Sequence, residues 1–179
     1  MLALTAMSSF SDAHELIEIP LIAANLHRLL LPRQNQIWAV LHPQDSLQRI
    51  QYSLAATFLG RMCLSGGIAG LSAEAWQLVR KMIELYEKAA LVIKHGTSRR
   101  FGEVVASWRH PQGWQAVLRT SATQALVVLH TFGEAPPEVM VPLAGEWTAV
   151  GESPQPSDGM IRAVTGGDFT GHVWLYHRA

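Results

Sequence analysis

Three ionisable side chains fall within four positions at Asp12, His14 and Glu15, inside the stretch Ser8-Ser9-Phe10-Ser11-Asp12-Ala13-His14-Glu15. A carboxyl held at such a place can pass a proton to a leaving group or take one from water, which is general acid/base chemistry. A helical pattern begins directly afterwards, so Ser11 or Asp12 also suits an N-cap, and the residues alone favour that reading. Asp12, His14 and Glu15 also have metal-ligand chemistry, with His27 or His42 as distant candidates to complete a set. Adjacent residues rarely converge on one ion without a motif, so the sequence points to no metal and no cofactor.

The elements that must position this stretch show as two kinds of periodicity. Leu16, Ile19, Leu26, Leu29 and Leu30 can share one helix face, which predicts a helix over about Glu15 to Leu31, with Pro20 near its first turn and Pro32 ending it. Gln36 to Leu41 and Arg61 to Leu64 are short apolar runs of the kind buried in parallel sheets, and only these two strands are expected in the first half. Between them Ser46 caps a helix carrying Leu47, Ile50, Leu54 and Phe58 as far as Gly60. A third helix repeats Trp76, Val79, Ile83, Tyr86, Ala90 and Ile93, with Ser72 as N-cap and Gly96 at its C-terminal end. Alternating helices and strands with short connections imply a parallel sheet covered by helices.

Near Gly96 to Gly102 the pattern changes to strand alternation. Expected strands run Glu103 to Arg109, Trp114 to Thr120, Gln124 to Thr131, Glu138 to Pro142, Trp147 to Gly151, Met160 to Val164 and His172 to His177, separated by Gly- and Pro-rich breaks. That spacing argues an antiparallel β-sandwich. His110, His130, His172 and His177 are expected at strand rims. Cys63 is expected as an inert core thiol. Trp108, Trp114, Trp147 and Trp174 could stack on sugar rings, but core packing is the commoner use of Trp in a strand.

Ser9-Phe10-Ser11-Asp12 before a helix, Pro32-Arg33-Gln34 leading to an apolar strand with Trp38, and Phe58-Leu59-Gly60-Arg61-Met62-Cys63-Leu64-Ser65-Gly66 come in this order. In that order the chain resembles family 36 glycoside hydrolases of the α-galactosidase type, and the helix after Leu71-Ser72 and the sandwich tail extend the likeness over nearly the whole chain. The resemblance implies an α/β plus all-β architecture. Residues 1–96 would be the last strands and helices of a (β/α)8 TIM barrel, and residues 97–179 a C-terminal antiparallel β-sandwich.

The same resemblance implies that Asp12, in the loop after the sixth barrel strand, is the general acid/base, and that Gln36 to Leu41 and Arg61 to Leu64 are strands seven and eight. Ser65, Gly66 and Gly67 would form the substrate-side loop after the last strand. The family carries Ser-Gly-Asp there, and Gly67 departs from it. The nucleophile Asp and the galactose-binding residues of strands one to five are expected outside this chain, and Glu15 and Glu18, being helical, do not replace them. The expected function is the C-terminal portion of a retaining α-galactosidase, inactive alone. The alternative is a non-catalytic β-sandwich module for association or carbohydrate binding.

Lys plus Arg and Asp plus Glu are equal at 14 each, which provides no basic face for nucleic acid. No run of about 18 uncharged apolar residues exists, so no membrane span is expected, nor is a signal peptide. Cys63 is the sole cysteine, and the chain is expected to be cytoplasmic. Its partners would be α-galactoside sugars, once the missing barrel half is supplied, and a second copy of itself, since family members associate. Without its partner strands, Gln36 to Leu41 would leave an unpaired edge. The sandwich is then expected to fold alone, with residues 1–96 marginal or self-associating.

Overall fold

The computed structural model describes residues 7–10, 16–103 and 107–179. They form a mixed α/β protein with one parallel and two antiparallel sheets. The parallel sheet has the order β1 (Ser8–Phe10), β2 (Asn35–Leu41), β3 (Arg61–Gly66). It therefore has a strand more than the sequence pattern indicates, and β2 is its centre rather than an open edge. Ser8–Phe10 is too short to carry an alternation of its own. Its strand character comes from pairing with Asn35, Gln36 and Ile37.

The first helix, α1 (Glu18–Leu26), is shorter than the leucine spacing suggests, and Leu29 beyond it is exposed. Pro20 sits in its first turn, where its missing N–H costs no hydrogen bond. The second helix, α2 (Leu47–Thr57), starts at Ser46, whose hydroxyl accepts from the Arg49 N–H at 3.2 Å. The third, α3 (Ala73–His95), starts in the same way at Ser72. Its buried stripe is Ala75, Val79, Met82, Ala89, Val92 and Ile93, and Ala90, expected inside, is exposed. Gly96 ends α3 in ordinary extended backbone. Glycine is needed there for close approach, since a Cβ would stand 2.6 Å from the Val92 carbonyl oxygen and 2.7 Å from Cγ of Arg119. No described helix is long and apolar enough to cross a membrane.

The larger antiparallel sheet has the order β4-β5-β6-β10-β8, made of Thr97–Gly102, Trp114–Thr120, Gln124–Thr131, Gly171–Arg178 and Trp147–Val150. The smaller pairs β7 (Glu138–Pro142) with β9 (Met160–Val164). The strand expected over Glu103 to Arg109 is displaced to Thr97–Gly102, because these residues find a continuous partner in β5. Glu103 and residues 107–109 are not in a strand; residues 104–106 lie outside the described set.

One face of the five-stranded sheet meets the small sheet. Ala116, Leu118, Val127, Leu129 and Tyr176 share a core there with Val139, Val141 and Ile161. The opposite face carries Val117, Leu126, Val128 and Leu175 into a second cluster with α2, α3 and the parallel sheet. Apolar packing thus runs continuously past residue 96, and α2 is the joint. It covers β2 on one side, while on the other a Cβ at Gly171 of β10 would lie 2.8 Å from the Tyr52 Cα.

His130 is a correction to the sequence reading: it is not a rim residue but fully buried. It lies on β6, the central strand, which is covered on both faces. Trp147 and Trp174 are core residues as composition favours, whereas Trp108 is exposed.

Candidate functional site

Parallel pairing puts the C-terminal ends of β1, β2 and β3 at one edge of their sheet, so the segments that follow Leu41 and Gly66 leave from the side on which β1 also ends. In open and closed parallel sheets alike, this is the edge where side chains from different strands can meet a ligand. Ile37, Ala39 and Leu41 are fully buried against the helices. By alternation Gln36, Trp38, Val40, Cys63 and Ser65 occupy the other face, where they are half-buried. Trp38 donates its indole N–H to the Ser9 hydroxyl at 3.0 Å, which ties β1 to β2 just before the Asp12 segment. Burial pushes the Cys63 thiol up despite the Arg61 charge, so it is protonated at neutral pH.

Asp12, together with His14 and Glu15, lies outside the described residues. Ser65 and Gly66 end β3, and Gly67 opens the turn that follows. Gly66 has φ +91°, and a Cβ on it would meet the Leu41 carbonyl oxygen at 2.4 Å. Gly66→Ala is therefore expected to destabilise the protein by about 2 kcal/mol through strain and collision. Urea unfolding measures this, and a loss below about 0.5 kcal/mol would show that the turn relaxes freely. Gly67 departs from the expected Asp and has Pro43 beside it, the proline ring lying 3.0 Å from where a Cβ would be.

The loop after β2 is pinned by Asp45, which accepts the His42 N–H at 2.8 Å and pairs with Arg49 at 3.0 Å. Arg49 is thus engaged locally. Arg33 lies at the opposite, N-terminal end of the strands, and donates to the Lys94 carbonyl at 3.4 Å. His27 ends α1, away from His42 in sequence and element, and burial lowers its pKa. Among the described residues no group of three metal-ligating side chains comes together. Ser9 and Asp45, the groups that hold this edge in shape, have no recognisable spacing in the sequence.

Solved structures share this fold. The family 36 α-galactosidase AgaA of Geobacillus stearothermophilus, in a variant complexed with stachyose, superposes with a TM-score of 0.71 at 16% identity over 94% of the chain. The α-galactosidase of Lactobacillus brevis gives 0.67 at 13% identity over 94%, and the galactosidase domain of the α-galactosidase–sucrose kinase AgaSK gives 0.67 at 16% over 94%. In fold, the chain resembles a C-terminal portion of a family 36 α-galactosidase. It spans about a quarter of the length of the solved α-galactosidases it matches. No family model matches the sequence, and no curated protein matches it. The α-galactosidase likeness is thus carried by the course of the backbone, including the helices that cover the parallel strands and the antiparallel sheets behind them.

Proposed function

We propose that this chain is the C-terminal portion of a retaining α-galactosidase-type glycoside hydrolase, in which β1, β2 and β3 are the last three strands of a (β/α)8 barrel and Asp12 is the general acid/base. The observation that supports the reading best is the parallel β1-β2-β3 sheet. Asp12 follows β1 by two residues in sequence, and β1, β2 and β3 end on one edge of their sheet. A retaining mechanism needs a second carboxylate about 5 to 5.5 Å from the first, to attack the anomeric carbon while Asp12 protonates the departing oxygen. Water then hydrolyses the glycosyl-enzyme with Asp12 as base. On this reading the nucleophile is supplied from outside these residues, on an earlier strand, and Ser65, Gly66 and Gly67 border the sugar.

An aryl α-galactoside tests this. The chain alone is expected to hydrolyse none, and hydrolysis is expected once a polypeptide carrying the first five barrel strands of a family relative is supplied. Asp12→Ala should then lower turnover by about 10²–10⁴-fold. Azide, which attacks the glycosyl-enzyme without base assistance, should restore it and yield the galactosyl azide. Undiminished hydrolysis by Asp12→Ala would remove Asp12 from the mechanism. No hydrolysis in any combination would favour the non-catalytic association module, a reading supported by the closed core between the two antiparallel sheets.

A further inference from the structure

At the N-terminal end of β2 and β3, opposite the edge described above, lies a cavity of about 430 Å³ between the segment before β2, the start of β3 and the last turns of α3. Arg33, Arg61 and Lys94 line it together with Tyr86, Ala90 and Ile93. No carboxylate is among the lining residues; Glu87, next to Tyr86, is exposed but not part of the wall. Among the described residues none of the three cations is in a salt bridge.

The helix ends nearby do not neutralise this charge. The C-terminus of α3 contributes roughly half a negative charge, and Arg33 donates to its Lys94 carbonyl. The carbonyls after α2, of Phe58 and Leu59, are already taken by the buried Arg119. About two and a half positive charges are left facing one cavity. Below them the floor is apolar and aromatic: Ile93 is buried, and the Tyr86 ring is held by its hydroxyl, which donates to the Gly60 carbonyl at 2.9 Å and accepts from the Met62 N–H at 3.2 Å. A bare ion would leave most of such a volume unfilled, since pockets for whole small molecules begin at about 300 Å³.

We infer that this cavity binds a phosphate monoester dianion, with Arg33, Arg61 and Lys94 on the phosphate and the organic group against Tyr86, Ala90 and Ile93. Guanidinium groups suit the task because their fork matches phosphate oxygens in pairs. The proposal is independent of any glycosidase activity, and its test involves none.

Calorimetric titration of the full chain with phenyl phosphate gives the direct measurement, with inorganic phosphate, phenol and sodium chloride at matched ionic strength as comparisons. Phenyl phosphate is expected to bind saturably and more tightly than inorganic phosphate, phenol not at all. Arg61→Gln and Arg33→Gln should each weaken phenyl phosphate about tenfold or more, whereas Arg162→Gln, on the remote surface pair with Glu138, should leave it unchanged. Lys94→Gln is a third variant at an exposed position, and circular dichroism verifies that each variant is folded. The proposal is overturned if chloride reproduces the heats, if binding survives Arg33→Gln and Arg61→Gln, or if inorganic phosphate binds as tightly as the ester.

Discussion

Replacing Arg119 by Ala is expected to remove about 4 kcal/mol of stability, read as a lowered urea midpoint at pH 7. Arg119 is 2% exposed on β5, and its guanidinium reaches across to the helical layer. Its Nη1 and Nη2 donate to the carbonyls of Phe58 and Leu59 at 3.3 and 3.2 Å, and Nε donates to the Ser98 hydroxyl at 2.9 Å. Truncation leaves two buried carbonyls without these donors, at about 1–3 kcal/mol each, and opens space where the stem packs beside Gly96. It also takes a cation from the C-terminal end of α2, where the helix dipole favours one. Burial lowers the Arg119 pKa to about 10. It is therefore charged throughout the neutral range, and the loss should be the same at pH 6 and pH 8. Arg119→Met, which restores volume but not donors, should recover part of the loss. A cost below about 1 kcal/mol for Arg119→Ala would mean that water reaches these carbonyls, and that the sheet and helices are not joined through this side chain.

What was legible in the sequence depended on how local its cause is. The strands Trp114–Thr120, Gln124–Thr131, Glu138–Pro142 and Met160–Val164 have the bounds expected from alternation between Gly and Pro breaks. The caps at Ser46 and Ser72 act within three residues, and both form as expected. Ser8–Phe10 and Thr97–Gly102 were hidden because their strand character is conferred by partners, Asn35–Ile37 in one case and β5 in the other. The candidate sites divide in the same way. The end of β3 at Ser65 to Gly67 is legible from a run of small residues after an apolar strand, while their place beside a sugar rests on the family resemblance alone. The cavity of Arg33, Arg61 and Lys94 is not legible, because its cations stand up to 61 positions apart in sequence and meet only through the packing of α3 on the strand ends. Arg119 reads in sequence as an ordinary polar residue of a strand; its burial follows from α2 lying across that face of the sheet.

His130 is where tertiary burial has its largest consequence for pH. Its Nε2 lies 3.1 Å from the Tyr52 carbonyl oxygen, an acceptor, so Nε2 carries the proton of the neutral ring; the buried Nδ1 has no partner. Protonating Nδ1 would place a charge and an unpaired N–H in a fully buried site, between the Tyr52 ring at 4.9 Å and the strands flanking β6, with His172 adding repulsion. Burial accordingly lowers the His130 pKa to about 3. In the unfolded chain the ring titrates near its ordinary value of about 6.5, so between these two values the unfolded state holds a proton that the folded state does not. Stability is then full above about pH 6.5 and falls as pH drops, by about 1.4 kcal/mol per unit. His27, lowered by burial in the same direction, adds to the slope. Urea unfolding at pH 7, 6 and 5 measures it. His130→Leu should be less stable than the parent at pH 7, where the hydrogen bond to Tyr52 is lost, yet show a flatter pH dependence, so that the two curves converge toward pH 5. Parallel curves for parent and variant would mean that His130 accepts its proton in the folded state, which requires β6 and α2 to separate enough to admit water.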